Sequence, residues 1–449
     1  MSRCIATLAV VALLWPAFLT GCAGRDAVVR DLAVLPQAPS AFLDKGSARP
    51  LLPGARQEWV ARDFLARHFR PWHDPVPLYP AEKVFWGIQA FEGRELFGQN
   101  TRQRDPEWFQ ALVRLSDCAS YPNADFKAVT VTHADLRVMP TREPAFFDFS
   151  LPGEGYPFDM FQNSALWAGT PVHVSHVSLD GAWVLAEAGL VYGWLPVGDV
   201  ARVGEGLARE LESGEYLTPV RDGAPVSDEG GVHSFSTRVG SLHPLVGQGN
   251  GGWAVLTAVR DAQGRARARR ATVPMEAGRR FPVPLVPEEI AGLAGTMTGQ
   301  PYGWGGMYWK RDCSALLRDL FAAFGLWLPR NSSGQARAGL VIPLEGLTMR
   351  DKEQAILETG LAWATLLHRP GHTMLYIGEH EGRPVVWHAM WGAKTRTPFR
   401  GEGRLVVGQT VVTTLTPGVE RWDVHLRDSL LAGLRSMNIL VIDPEPPWP

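Results

Sequence analysis

From about residue 125 to about residue 285 the chain runs in short stretches of alternating apolar and polar residues separated by turn signals, and this pattern restricts its fold more than any other feature. Val172-His173-Val174-Ser175-His176-Val177 is followed by Leu179-Asp180-Gly181 and then by Trp183. Successive side chains on a strand point to opposite faces, so such a run buries one face, and Asp-Gly supplies the backbone of a tight hairpin. A second set follows, with Gly251-Gly252-Trp253 leading a strand, a turn from Asp261 to Gly264 and a return strand through Arg270. Two small β-barrels in series, over residues 125–205 and 206–285, are the economical reading. The cluster Gly247, Gly249, Gly251 and Gly252 reads as a hairpin loop rather than a phosphate cradle, because a strand and not a helix opens behind it.

With 449 residues the chain has room for two to four domains, so these barrels have company on both sides. Trp59, Val60, Phe64, Leu65 and Phe69 fall near helical spacing, and Asp105-Pro106-Glu107 opens a second helical run containing Trp108, Phe109, Leu112, Val113 and Leu115. Proline in a first turn behind an Asp cap is a start signal, and residues 56–124 read as a mostly helical unit. Residues 23–55, rich in Ala, Pro, Gly and small polar residues, read as a tether.

Arg3 precedes an apolar stretch from Ile5 to Phe18, too short to span a bilayer, which takes about 20 residues. It reads as a secretory signal over residues 1–22. Of the four cysteines, Cys4 falls within that signal and Cys22 at its end, which leaves Cys118 and Cys313 in the folded body, either paired or with at least one kept free. A net charge of -2 gives no electrostatic reason to expect nucleic acid, and the basic run Arg265 to Arg270 reads as the solvated face of a strand.

Beyond Pro287 the pattern changes again. Ile290 to Met297 gives a short helix, and Gln300-Pro301-Tyr302-Gly303-Trp304-Gly305-Gly306 leads to Arg311-Asp312-Cys313-Ser314. Leu316, Leu317, Leu320, Phe321 and Phe324 then share a helix face that Gly325 can end. Cys313 thus sits at the amino end of a buried helix, where free N–H groups and the helix dipole favour a thiolate. Cys118 is followed by Ala-Ser-Tyr-Pro and reads as a buried apolar filler.

A thiol nucleophile needs a base. Gly371-His372-Thr373 opens one strand and Trp387-His388-Ala389 lies on its return, so folding about Glu379 to Gly382 brings the two histidines together on one face. His372 is the better base and His388 the better orienter. Metal binding fits poorly: Pro370-Gly371 interrupts the helix that would align His368 with His372, and His173 and His176 lie three apart on a strand. No metal and no cofactor is expected.

Tyr302-Gly303-Trp304-Gly305-Gly306, Arg311-Asp312-Cys313-Ser314, Gly371-His372-Thr373 and Trp387-His388-Ala389, in that order, resemble the NlpC/P60 cell-wall peptidases. Asp135-Leu136-Arg137-Val138-Met139-Pro140 and Tyr192-Gly193-Trp194-Leu195-Pro196 resemble bacterial SH3 modules, and Leu19-Thr20-Gly21-Cys22 resembles a lipobox. The resemblance implies a multidomain protein, with a papain-like α+β catalytic domain over residues 286–449 behind two SH3-like barrels and the helical unit. It implies a triad of Cys313, His372 and His388 that cleaves between γ-D-glutamate and a diamino acid, usually meso-diaminopimelate, in peptidoglycan stem peptides. In the SH3-bearing subgroup a free amino-terminal L-Ala is held beside the nucleophile, here by Asp312 and Ser314, with Tyr192 the candidate from the first barrel. It further implies lipidation at Cys22, with Ala23 directing the protein to the outer membrane, facing the periplasm. Ser314-Ala315 departs from the family's usual Ser-Gly, a change a helix tolerates, and the segment from Pro343 to Thr365 reads as an insertion that shapes the cleft. Two rival readings are a non-catalytic peptidoglycan-binding lipoprotein, which a Cys118–Cys313 disulfide would favour, and a papain-like amidase or acyltransferase on another substrate.

Overall fold

The computed structural model describes residues 29–151, 153–189, 191–249, 251–398 and 401–441; Cys22 and the signal lie outside them. The first region is built on helices α1 (Gly54–Phe69) and α2 (Pro106–Leu115). Asp105 caps α2 by accepting from the Glu107 N–H at 2.9 Å, with Pro106 in the first turn where a missing N–H costs nothing. Phe64 and Phe69 of α1 bury against Trp72 and against Tyr216 and Leu242 of the second barrel, so this region is packed on the barrels rather than standing apart.

The first barrel is an antiparallel sheet running in space through β1 (Gln162–Leu166), Ala134–Arg137, Tyr192–Pro196, Trp183–Ala188, Pro171–Val177, Phe126–Thr130 and Val200–Arg202. The hairpin read from Asp180-Gly181 is present, with Val177 opposite Val184 and Val172 opposite Ala188. The second barrel spans Tyr216–Pro219 to Gly278–Arg280. Its hairpin places Gly249 opposite Gly252, and Arg267, Arg269 and Arg270 stand exposed on the strand Ala266–Pro274.

The last region contains α3 (Pro287–Met297), α4 (Cys313–Ala322) and α5 (Met349–Thr359), with strands β2 (Thr365–Arg369), β3 (His372–His380), β4 (Arg383–Thr397) and β5 (Gly401–Thr414). Its antiparallel sheet runs Leu340–Pro343, Ser436–Ile439, β2, β3, β4, β5. Leu316, Leu317, Leu320 and Phe321 of α4 are fully buried against Leu375, Ile377, Trp387 and Val412 on one face. Each such side chain contributes roughly 1.5–3 kcal/mol of burial, which fixes the cysteine end of α4 against the sheet. The segment from Pro343 to Thr365 contains α5. Its Leu344 and Ile356 bury against Met374, Tyr376 and Val386 on the opposite face, closing the second side of the sheet.

The expected tether is also different in the described part, residues 29–55. Asp31 accepts from both the N–H and the hydroxyl of Thr414 at 2.7 Å, and the Gln37 amide both donates to and accepts from the backbone of Val412 at 3.0 Å. Val29 buries with Leu405 and Val424, and Leu52 enters the core around α4. β5 is the edge of its sheet, and its outward N–H and C=O groups need partners. Small polar residues that carry no period of their own supply them.

Candidate active site

Asp312 is the N-cap of α4, accepting from the Ala315 N–H at 2.8 Å, and this fixes Cys313 in the first position of the helix. The same carboxylate accepts from the Ser314 hydroxyl at 3.0 Å, the Gly305 N–H at 3.1 Å and Arg330 Nη2 at 2.8 Å. Arg330 also donates from Nε to Ser164 Oγ of β1 at 2.7 Å, so one buried guanidinium ties the nucleophile's helix to the first barrel. Burial acts to raise the Asp312 carboxyl, but Arg330, by charge and by hydrogen bond, outweighs it and holds the group below the usual carboxylate range.

A carboxylate accepts at about four positions, and those of Asp312 are filled from within the protein. These partners make Asp312 the cap of the helix and the anchor of the Gly305 loop, with Arg330 balancing its charge. Ser314 is likewise engaged, through its hydroxyl with Asp312 and through its carbonyl with Gln335 Nε2 at 2.8 Å. Tyr192 is not brought to this group. Its ring packs 4.4 Å from Tyr79 in an aromatic cluster with Trp183 and Trp194, and its carbonyl accepts from Asn163. The first barrel contributes β1 instead.

The contact with β1 explains the glycine motif. Gly305 and Gly306 have φ of 60° and 89°, and a Cβ on either would meet the barrel, at 2.3 Å from the Gln162 carbonyl and 2.7 Å from the Ala165 nitrogen respectively. Trp304 donates to the Asp159 carbonyl at 3.1 Å and lies edge-on to Phe158, which also meets Trp391. Tyr302 packs on Trp391 from the other side, its phenol pushed well up by burial and by the nearby Cys313 and Asp312.

At the opposite wall, β3 and β4 carry His372 and His388 on one face, with His372 Nε2 2.7 Å from His388 Nδ1. The network assigns the tautomers. Thr413 Oγ1 donates to the Thr414 carbonyl at 2.7 Å, so it accepts from His388 Nε2 at 3.0 Å. That leaves His388 Nδ1 as the acceptor for the His372 Nε2 proton, and His372 Nδ1 holds a free lone pair. Thr373, the next residue, presents its backbone N–H to the Cys313 sulfur, so thiol and imidazole share the start of β3. Thr413 had no sequence signal, since Val411-Val412-Thr413-Thr414 reads as ordinary strand; Arg330 and Ser164, far apart in the chain, had none either.

Burial works against a ready thiolate. Burial pushes the Cys313 thiol up to about 12, with the Asp312 charge adding to it and the N–H groups of Thr373 and Ser314 opposing it. Burial holds the His372 imidazole down to about 3, helped by the Arg369 charge. Both shifts favour the neutral thiol and the neutral imidazole. Inactivation by iodoacetamide is accordingly expected to quicken about tenfold per pH unit from about pH 6 to 9; a rate already level by about pH 7 would mark a preformed thiolate. Cys118 and Cys313 are both free thiols; Cys118, read as a buried apolar filler, is half-buried in the turn Cys118–Ser120.

Four family matches tile the chain: residues 11–121 match the N-terminal NlpC/P60 stabilising domain, 144–196 the SH3 domain of SH3b1 type, 205–250 the SH3 domain of SH3b2 type, and 299–382 the NlpC/P60 family. Over 92 residues, 20% of the chain, it is 33% identical to a γ-D-glutamyl-L-lysine dipeptidyl-peptidase of Bacillus subtilis (strain 168), and the match spans 29% of that relative's length. The structure of an NlpC/P60 endopeptidase from Photobacterium damselae subsp. piscicida superposes with a TM-score of 0.81 at 24% identity, covering 92% of this chain and 98% of that one, so the fold is shared across all four regions. An NlpC/P60 family protein from Bacillus cereus ATCC 10987 matches with a TM-score of 0.48 at 16% identity, over 70% of this chain and 100% of its own.

Proposed function

Because the chain carries an NlpC/P60 domain of the peptidoglycan-hydrolase type behind two SH3 domains and a helical stabilising domain, we propose that it is a cysteine endopeptidase cutting between γ-D-glutamate and a diamino acid of stem peptides. The observation that carries this reading is the hydrogen-bonded line from Thr413 through His388 to His372, which leaves His372 Nδ1 outside that line while the next residue, Thr373, presents its N–H to the Cys313 sulfur. His372 Nδ1 takes the thiol proton as sulfur attacks the γ-glutamyl carbonyl, and N–H groups at the start of α4 receive the developing oxyanion. His372 then gives that proton to the leaving amine, and a thioester remains on Cys313. Water, deprotonated by His372, attacks the thioester and frees the glutamyl product and the thiol. His388 holds the imidazole in the required tautomer and supports its transient positive charge.

The substrate form proposed is a short peptide ending in a free L-Ala, supported by the first barrel, which closes one side of the nucleophile through β1, Arg330 and the Gly305–Gly306 loop. Incubation of the chain lacking residues 1–22 with L-Ala-γ-D-Glu-meso-diaminopimelate, followed by mass spectrometry, is the test. Release of L-Ala-D-Glu is expected. A folded, reduced protein that leaves this peptide intact would return the assignment to a wall-binding protein.

Attachment to the outer membrane through an acylated Cys22, facing the periplasm, belongs to the same proposal and is supported by the Leu19-Thr20-Gly21-Cys22 run. Metabolic labelling with an alkyne fatty acid is expected to mark the protein and not Cys22→Ala. Equal labelling of both removes the anchor from the proposal.

A further inference from the structure

We propose that Arg369 recognises a carboxylate on the leaving residue, so that the site favours a diamino acid presenting one. This rests on the peptidase reading above and names the residue that sets its leaving-group preference. Pro370-Gly371 alone joins β2 to β3, and Arg369 pairs directly with His372 across that turn. Opposed residues of an antiparallel pair project to the same face with Cβ atoms about 4.5–5.5 Å apart, so guanidinium stem and imidazole are neighbours. His388 contacts His372 from β4 on its other side, and the face therefore reads Arg369, His372, His388.

The acyl side of Cys313 is closed by Asp312, Arg330 and the first barrel. The leaving amine must meet His372, which returns the proton to it, and a group lying past His372 faces the residue that departs. Arg369 is half-buried, and its guanidinium donates from Nη1 to the Ser429 carbonyl at 3.3 Å. Among the described residues no ion pair includes it. Asp428, the acid whose charge it feels, is engaged by Arg396 Nε at 2.9 Å. Burying a guanidinium without a carboxylate costs free energy, and such a cost is retained where a ligand brings the missing charge.

That carboxylate has two sources: the α-carboxylate of the leaving residue, and the distal one that diaminopimelate has and lysine lacks. The test compares three substrates: L-Ala-γ-D-Glu-meso-diaminopimelate, its lysine counterpart, and the diaminopimelate peptide amidated at the α-carboxylate. Parent, Arg369→Gln and Arg369→Lys are assayed on each. The parent is expected to prefer the first peptide over at least one of the others by about 10–100-fold in kcat/KM, chiefly through KM. Arg369→Gln is expected to lose that preference, and Arg369→Lys to keep part of it. Loss confined to the lysine comparison assigns the distal carboxylate, and loss confined to the amide comparison the α-carboxylate. Parental ratios in Arg369→Gln, or a proportionate fall on all three peptides, would overturn the inference and leave the peptidase reading standing. A parent inactive on every peptide overturns both.

Discussion

Cys313→Ala is expected to lower kcat/KM on the diaminopimelate tripeptide by at least about 10⁴-fold, measured by product release against the parent at equal folded concentration. Removal of the sulfur leaves only binding and the N–H groups at the start of α4, and at about 1.4 kcal/mol per decade the loss is roughly 5.5 kcal/mol of transition-state stabilisation. His372→Ala is expected to cost nearly as much, since a neutral thiol raised to about 12 has no other route to a thiolate at neutral pH. His388→Ala is expected to cost about 10³–10⁴-fold, because it frees the His372 tautomer. Combining these changes is expected to cost no more than the largest single loss, since the three groups act as a unit. Activity of Cys313→Ala within about tenfold of the parent would remove Cys313 from the mechanism.

Arg311→Met is expected to destabilise the fold by about 3 kcal/mol, toward the low end of the roughly 3–5 kcal/mol seen when one partner of a buried pair is removed. Arg311 sits in the Arg311-Asp312-Cys313-Ser314 motif but points away from the chemistry. Nearly inaccessible at 2% exposure, it pairs with Asp222 of the second barrel and, at 2.7 Å, with Asp319 of α4. It also donates to the Val239 carbonyl at 2.8 Å, and Trp167 of the first barrel donates to Asp319 at 3.2 Å, so both barrels and the last region meet around it. Arg238 and Arg318 remain to share the orphaned carboxylates, which is why the low end is expected. Calorimetry should place the first unfolding transition lower by about 6–12 °C, and Arg311→Met combined with Asp222→Asn should recover part of it. A transition unmoved by Arg311→Met would show the cluster to be replaceable.

The same cluster carries a pH dependence. Burial acts to raise the Asp222 carboxyl, but Arg311, with help from the Val239 N–H and Arg238, holds it at about 2. A carboxyl whose folded value lies below its unfolded value, about 3.9, stabilises the fold fully above that value and loses its contribution as pH falls through the folded one. The Asp222 contribution is therefore lost between about pH 4 and pH 2, and Asp222→Asn should flatten stability across that window.

Those elements were legible whose information is local. The Asp105-Pro106 start of α2, the Asp180-Gly181 hairpin and the cysteine at the head of a buried helix each rest on side chains within a few residues of one another. His372 and His388 were legible as a pair because one hairpin relates them. Where the sequence reading failed, the partner was distant. Asp31 and Gln37 looked like linker because their partners, Thr414 and Val412, lie more than 370 residues away. The partnership of Asp312 with Arg330 and, through it, Ser164 was invisible because neither residue carries a periodic signal.

The sequence by itself determined the strands, the helix under Cys313 and the identities of thiol and imidazoles, since propensity, turn chemistry and hydrophobic period act over a few residues. Only the tertiary structure decided their chemical state. Burial between sheet, helix and barrel favours the neutral thiol and imidazole, pairs Asp312 with Arg330, and leaves Arg369 outside any ion pair among the described residues. Desolvation and pairing depend on what surrounds a group in space, and the residues that surround these come from parts of the chain that only the assembled domains bring together.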